Sequence, residues 1–109
     1  MKLYFSERVT GAPNTLVLGT GLVSTEVEPK IIKGLYIIVS ARNGNMVEAW
    51  IERERILQIL DTIFNLASDA FRLYIPVDVD LPIGRRFVVG VRSGASATNI
   101  DVTYEYEIK

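Results

Sequence analysis

The chain has 109 residues, 49% of them hydrophobic and 23% charged, with twelve basic against thirteen acidic residues and a net charge of -1 at pH 7, the size and balance of one domain around one core. It contains neither Cys nor His, which excludes a zinc finger, an iron–sulfur centre, a Ser-His-Asp triad and a thiol nucleophile. Acidic and basic residues are interleaved and leave no stripe to follow a phosphate backbone, so nucleic acid is not an expected partner.

Three short strands are expected at residues 2–9, 15–19 and 22–27. They are separated by Gly11-Ala12-Pro13-Asn14 and Gly19-Thr20-Gly21, runs rich in turn-forming residues. A stronger strand at 35–41 runs into Asn43-Gly44, a strong short-range hairpin signal. The run 35–39 is the longest uninterrupted apolar stretch, far below the ~20 residues that cross a bilayer. The first residues also lack the apolar core of a signal peptide. No membrane partner is expected.

Residues 46–67 fit two patterns. On a helical wheel Ala49, Trp50, Ile56, Leu57, Leu60, Ile63, Phe64 and Ala67 share one face, and Asn45 with Glu48 has capping-box spacing. Against a helix, Arg53 falls on that apolar face while Ile51, Ile59 and Leu66 fall on the polar one. The strand reading pairs 35–41 with 47–52 across Asn43-Gly44, turns at Arg53-Glu54 and continues through 55–60. Strands are preferred, because a strand-rich context overrides local propensity.

Beyond this segment, Leu73, Ile75, Val77, Val79 and Leu81 alternate with polar residues and prolines, which reads as a strand over 73–81 whose prolines mark either a sheet edge or the strand's beginning and end. Leu81-Pro82-Ile83-Gly84 turns the chain. Residues 87–91 are apolar enough to be buried on both faces, and Ser93-Gly94-Ala95-Ser96-Ala97 forms the next loop. The alternation of Ile100, Val102, Tyr104, Tyr106 and Ile108 with polar residues over 99–108 gives a strand with one wet face. The expected fold is mainly β: a single-domain, jelly-roll-like β-sandwich spanning 1–109. The alternative is an α+β domain with one helix at about 46–67. Ile75, Val77, Phe87, Val89, Val102 and Tyr104 are expected to share the core.

Chemistry-bearing residues are sparse. Asp78 and Asp80 share a strand face and could meet Asp101 as calcium ligands if their strands were neighbours, but a solvated face paired with Arg85 or Arg86 is the preferred reading. Trp50, Tyr36, Tyr74, Tyr104 and Tyr106 could form a sugar-stacking platform, with Tyr74 and Trp50 the better exposed of the five. Glu105 and Glu107 resemble a glycosidase carboxylate pair in type alone, on a regular strand with no sign of a cleft. Neither an enzymatic activity nor a cofactor is expected.

From about residue 22 to residue 108 the order of features resembles the small jelly-roll-like modules of virion structural proteins in tailed phages and related viruses. The residues carrying this likeness are Pro76-Val77-Asp78-Val79-Asp80-Leu81-Pro82-Ile83-Gly84-Arg85-Arg86-Phe87-Val88-Val89-Gly90-Val91, the Ser/Gly/Ala loop and the Tyr-rich last strand. Bulky Ile83 occupies a position usually held by a small residue, and carbohydrate-binding and adhesion modules share the pattern. The resemblance implies a capsid decoration, cement, fibre or tail component that contacts a capsid or tail lattice, located in the virion or alternatively in the cytoplasm, with no catalytic residues. Mean hydropathy is +0.23, high for so small a core, so self-association is expected, as a trimer where the protein decorates a lattice. Trp50, Tyr74 and Phe71 are the expected contact aromatics, with Arg53, Arg72, Arg85 and Arg86 as charged rim. A carbohydrate ligand is the alternative partner.

Overall fold

The computed structural model describes residues 1–66 and 73–109. Its strands are β1 (Lys2–Val9), β2 (Leu16–Leu18), β3 (Leu22–Val23), β4 (Lys30–Val39), β5 (Met46–Ile51), β6 (Glu54–Leu60), β7 (Asn65–Leu66), β8 (Tyr74–Leu81), β9 (Arg86–Arg92) and β10 (Ile100–Ile108), with one 3-10 turn at Asp61–Ile63. In the first sheet β10 lies between β1 and β4, and β8 and the two-residue β7 share the far side of β4. In the second sheet β2 and β3 lie end to end along β9, followed by β5 and then β6. Every pairing is antiparallel except β4 with β7.

The chain changes sheet at each connection apart from the β5–β6 hairpin and the steps within the pairs β2/β3 and β7/β8. Taking β2/β3 as one interrupted strand and leaving aside the two-residue β7, which runs opposite to β8, β1-β10-β4-β8 faces β2-β9-β5-β6, the order of an eight-stranded jelly roll. The expected sandwich is therefore the observed one.

Alternation builds the core. Val102 and Tyr104 from β10, Leu35 and Ile37 from β4, Val47 and Ala49 from β5, and Phe87, Val89 and Val91 from β9 all point between the sheets and are buried. Ile75 and Val77 of the edge strand β8 pack against them, half-buried. In β4 the inward series runs Ile32, Leu35, Ile37, Val39. The three-residue step reflects a bulge at Lys33-Gly34, where the register against both neighbours shifts. Across from it, Asp78 adopts φ 53°, an uncommon backbone for a non-glycine residue.

The preferred strand reading holds over residues 46–60, which form β5 and β6 in place of the alternative helix, and the part of the segment from residue 67 onward lies outside the described residues. One expectation is corrected. Asn43-Gly44 does not close a hairpin: β4 bonds to β10, β7 and β8, whereas β5 bonds to β6 and β9. The turn is a crossing between sheets, fixed by side chains. Asp61 is buried and accepts the Asn43 and Gly44 N–H groups at 3.1 and 2.9 Å. Asn45 accepts the Gly94 N–H at 2.9 Å and donates to the Ser96 carbonyl at 2.7 Å. The β5–β6 hairpin turns at Glu52-Arg53, one residue earlier than expected, with Glu52 at φ 53°.

Candidate contact faces

Because β5 and β9 send 47, 49, 87, 89 and 91 inward, residues 46, 48, 50, 88, 90 and 92 form the outer face of the second sheet. One row across it runs Leu16, Arg92, Met46, Leu60; the next runs Leu18, Gly90, Glu48, Gln58; a third holds Val88, Trp50 and Arg55. Glu48 lies on this outward face and is nevertheless 0% exposed. Its carboxylate accepts Arg92 Nε at 2.8 Å, Gln58 Nε2 at 2.8 Å and Trp50 Nε1 at 3.1 Å, with Arg55 3.6 Å away. Burial pushes this carboxyl up, but the hydrogen bonds from Arg92, Gln58 and Trp50 outweigh it and hold the group below the usual carboxylate range. Gly90 lacks a side chain, so Leu18 can lie across it: a Cβ there would meet Leu18 Cδ2 at 2.7 Å. The result is a rigid platform around a masked charge, carrying Leu18 and Leu60, each 41% exposed, beside half-buried Trp50, Leu16 and Met46.

The outer face of the first sheet is built on tyrosines. Tyr36 and Tyr74 pack with ring centroids 4.9 Å apart, and Tyr4 stands 58% exposed nearby on β1. Beneath them Glu105 is buried and accepts the Tyr74 hydroxyl at 2.8 Å and the Tyr4 hydroxyl at 3.2 Å. Burial, together with the bond to and charge of Glu105, pushes the Tyr74 phenol up to about 12. Gly34 makes room for this arrangement, since a Cβ there would stand 2.2 Å from the Tyr74 hydroxyl. Tyr4, Tyr36, Ile38, Asp101 and Thr103 line a shallow groove of about 310 Å³, and Asp101 is held by Arg8 at 2.7 Å.

The expected contact residues do not converge. Trp50 and Tyr74 are each half-buried, on the outer faces of opposite sheets. Arg53 and Arg85 do meet, in the walls of a depression of about 560 Å³ that also includes Glu52, Glu54 and Pro82. Arg86 is tied into the fold: its N–H reaches Glu52 Oε1 at 2.9 Å and its guanidinium donates to the Thr20 carbonyl. Phe71 and Arg72 lie outside the described residues. The calcium constellation does not form, because β4 separates β8 from β10. Asp78 pairs with Lys33 at 3.0 Å and Asp80 with Lys109, in place of the arginines expected as their partners. Among the described residues no cluster of three or more acidic groups could hold a metal ion. Of the five platform aromatics, Tyr104 is core and Tyr106 is packed against it. Tyr4, the most exposed tyrosine of the first sheet's outer face, escaped the sequence reading; its place in the outward series of β1 was the available signal.

Comparison with known protein families, with curated proteins and with solved structures found no match to this chain.

Proposed function

We propose that this protein is a structural assembly module, of the virion decoration or tail kind, that acts by protein–protein contact through the outer face of its second sheet. The observation that carries this reading is the platform around Glu48. A carboxylate on an outward sheet face is ordinarily solvated; here it is fully covered and pinned by four side chains, with Leu18, Leu60 and Trp50 set around it. A pre-ordered surface of this composition, apolar and aromatic with its charge already paired, loses little entropy on contact and presents no unpaired charge to a partner. The jelly-roll order supports the reading more weakly, since capsid and lectin domains both use it.

The test is co-sedimentation of the purified chain with assembled capsid or tail particles, comparing wild type with Leu18→Glu and Trp50→Ala. Binding that both substitutions abolish while the fold is kept supports the proposal. Wild type left wholly in the supernatant removes it.

A second reading, a carbohydrate-binding module, is favoured by the groove over exposed Tyr4 and half-buried Tyr36, which adjoins the hydroxyl of Thr103 and the carboxylate of Asp101. Aromatic faces with a few fixed polar groups are what a saccharide site needs. Retention on immobilised glycans that Tyr4→Ala abolishes would promote this reading over the first.

A further inference from the structure

The four edges of the sandwich are treated differently. β1 carries an inward-pointing carboxylate, Glu7, which binds the Thr20 and Gly21 N–H groups at 2.7 and 2.9 Å. β8 contains Pro76, has a register shift and has Asp78 at positive φ. The β2/β3 edge is three residues, a Gly19-Thr20-Gly21 break, then two more. Each of these is a recognised means of blocking strand addition.

β6 is different. It runs seven residues, Glu54–Leu60, without Pro, Gly or Lys, and among the described residues its only strand partner is β5. Its last five residues, Ile-Leu-Gln-Ile-Leu, carry no charge. Ile56, at a bulge opposite the Ala49/Trp50 step, is 38% exposed, and Leu60 at the other end is 41% exposed. Ile56 and Leu57 also wall an apolar crevice of about 210 Å³ with Ile75 and Val77 at the open side between the sheets.

We propose that β6 is a docking edge for a second copy of this chain, added antiparallel about a two-fold axis at Gln58. The sequence is self-complementary in that register. Gln58 meets Gln58, Leu57 meets Ile59, and Ile56 meets Leu60. The Arg55 end of each strand falls at the Asp61 end of the other, where Asp61 is buried and held by the Asn43 and Gly44 N–H groups, so the apolar pairs carry the register. A two-fold axis requires antiparallel pairing of identical strands. The product is one continuous sheet made from two second sheets, with the free N–H and C=O groups of both edges bonded. A dimer with this symmetry departs from the trimer expected of a lattice decoration. β6 also lends Arg55, Gln58 and Leu60 to the Glu48 platform, so the two proposals are told apart by Leu18 and Trp50, which lie off β6.

Sedimentation velocity from micromolar to millimolar protein tests it, with wild type, the double variant Ile56→Lys with Leu60→Lys, and Leu18→Glu. The expected result is a wild-type dimer, dimerisation weakened at least roughly tenfold by the lysines, and an unaffected dimer for Leu18→Glu. A monomeric or trimeric wild type, or a dimer that withstands the lysines, overturns the proposal. Should the double variant fail to fold, Gln58→Cys decides: the chain has no other cysteine, and cross-strand positions at the axis are close enough for a disulfide. Air oxidation should give one covalent dimer; an exclusively monomeric product under oxidising conditions overturns the assignment.

Discussion

Tyr104 and Glu7 stand 97 residues apart in the chain, and the Tyr104 hydroxyl donates to Glu7 Oε2 at 2.7 Å. The same hydroxyl accepts the Val89 N–H at 3.0 Å. Between β2 and β3 the Gly19-Thr20-Gly21 break leaves no strand residue paired with Val89 on that side of β9, and the phenol supplies the missing acceptor. One oxygen thus links β1 and β10 of the first sheet to β9 of the second, inside a core where Phe87 meets the Tyr104 ring edge-on at 6.0 Å.

Tyr104→Phe keeps the ring and deletes the bridge, stranding the buried Val89 N–H. The expected cost is about 1–3 kcal/mol, read from urea denaturation. Glu7→Gln should also destabilise: with its amide oxygen kept on the phenol and the Gly21 N–H, its amide nitrogen turns a donor toward the Thr20 N–H. Phe87→Ala empties the space beside the ring and should cost about 3–5 kcal/mol. A Tyr104→Phe variant as stable as wild type would show that the hydroxyl bridge contributes nothing.

Alkali should expose the same network. Burial and the Glu7 bond push the Tyr104 phenol up, and burial with Glu105 pushes Tyr74 up to about 12. A group whose folded pKa is raised contributes stability that is complete below its unfolded value, near 10.0, and is lost as pH rises through the folded value. Stability should therefore fall above about pH 10, less steeply in Tyr104→Phe. Absorbance titration should find two tyrosines that ionise only as the fold is lost or at about pH 12.

Acid acts on the other sheet. Glu48 is held below its ordinary 4.5, so its contribution is present above that value and lost as pH falls through the folded one. Glu48→Gln should cost about 1–3 kcal/mol at neutral pH, since the new amide turns a donor toward Arg92 and Gln58. The melting temperatures of variant and wild type should converge in acid. Parallel curves down to pH 3 would mean that the buried carboxylate is not what the platform depends on.

Patterns of period two carried the fold. β1, β9 and β10 lie within one residue of their expected bounds, β1 and β10 because inward and outward residues alternate along them, β9 because Phe87–Val91 carries no polar side chain. Local signals say nothing about which sheet a strand joins, and Asn43-Gly44 illustrates the gap. The dipeptide supplies a tight turn at Gly44, φ 81°, yet the bonds that close it come from Asp61, distant in sequence. The Tyr4–Glu105 contact was hidden for the same reason, its partners being 101 residues apart. Glu48 was visible only as a capping-box residue. Its burial depends on Arg92, which pairing of β5 with β9 brings to its side.

Gly34 offers the sharpest test of the tyrosine face. No positive φ is required at this position, so its backbone suits alanine, and in open space Gly34→Ala in a strand would be neutral or stabilising. Here the new methyl would stand 2.2 Å from the Tyr74 hydroxyl and 2.3 Å from Cζ, so the ring must swing away from Glu105 and from Tyr36. The expected cost is about 1–3 kcal/mol. The Tyr74 phenol, released from burial and from Glu105, should ionise closer to 10.0 than to about 12. In a Tyr74→Ala background the obstacle is gone, and adding Gly34→Ala should then cost close to nothing. A cost that persists in that background would place the constraint in the β4 bulge itself, where the chain steps through Lys33-Gly34 against both neighbours, and would leave the Tyr74–Glu105 bond a passenger on a backbone set by other contacts.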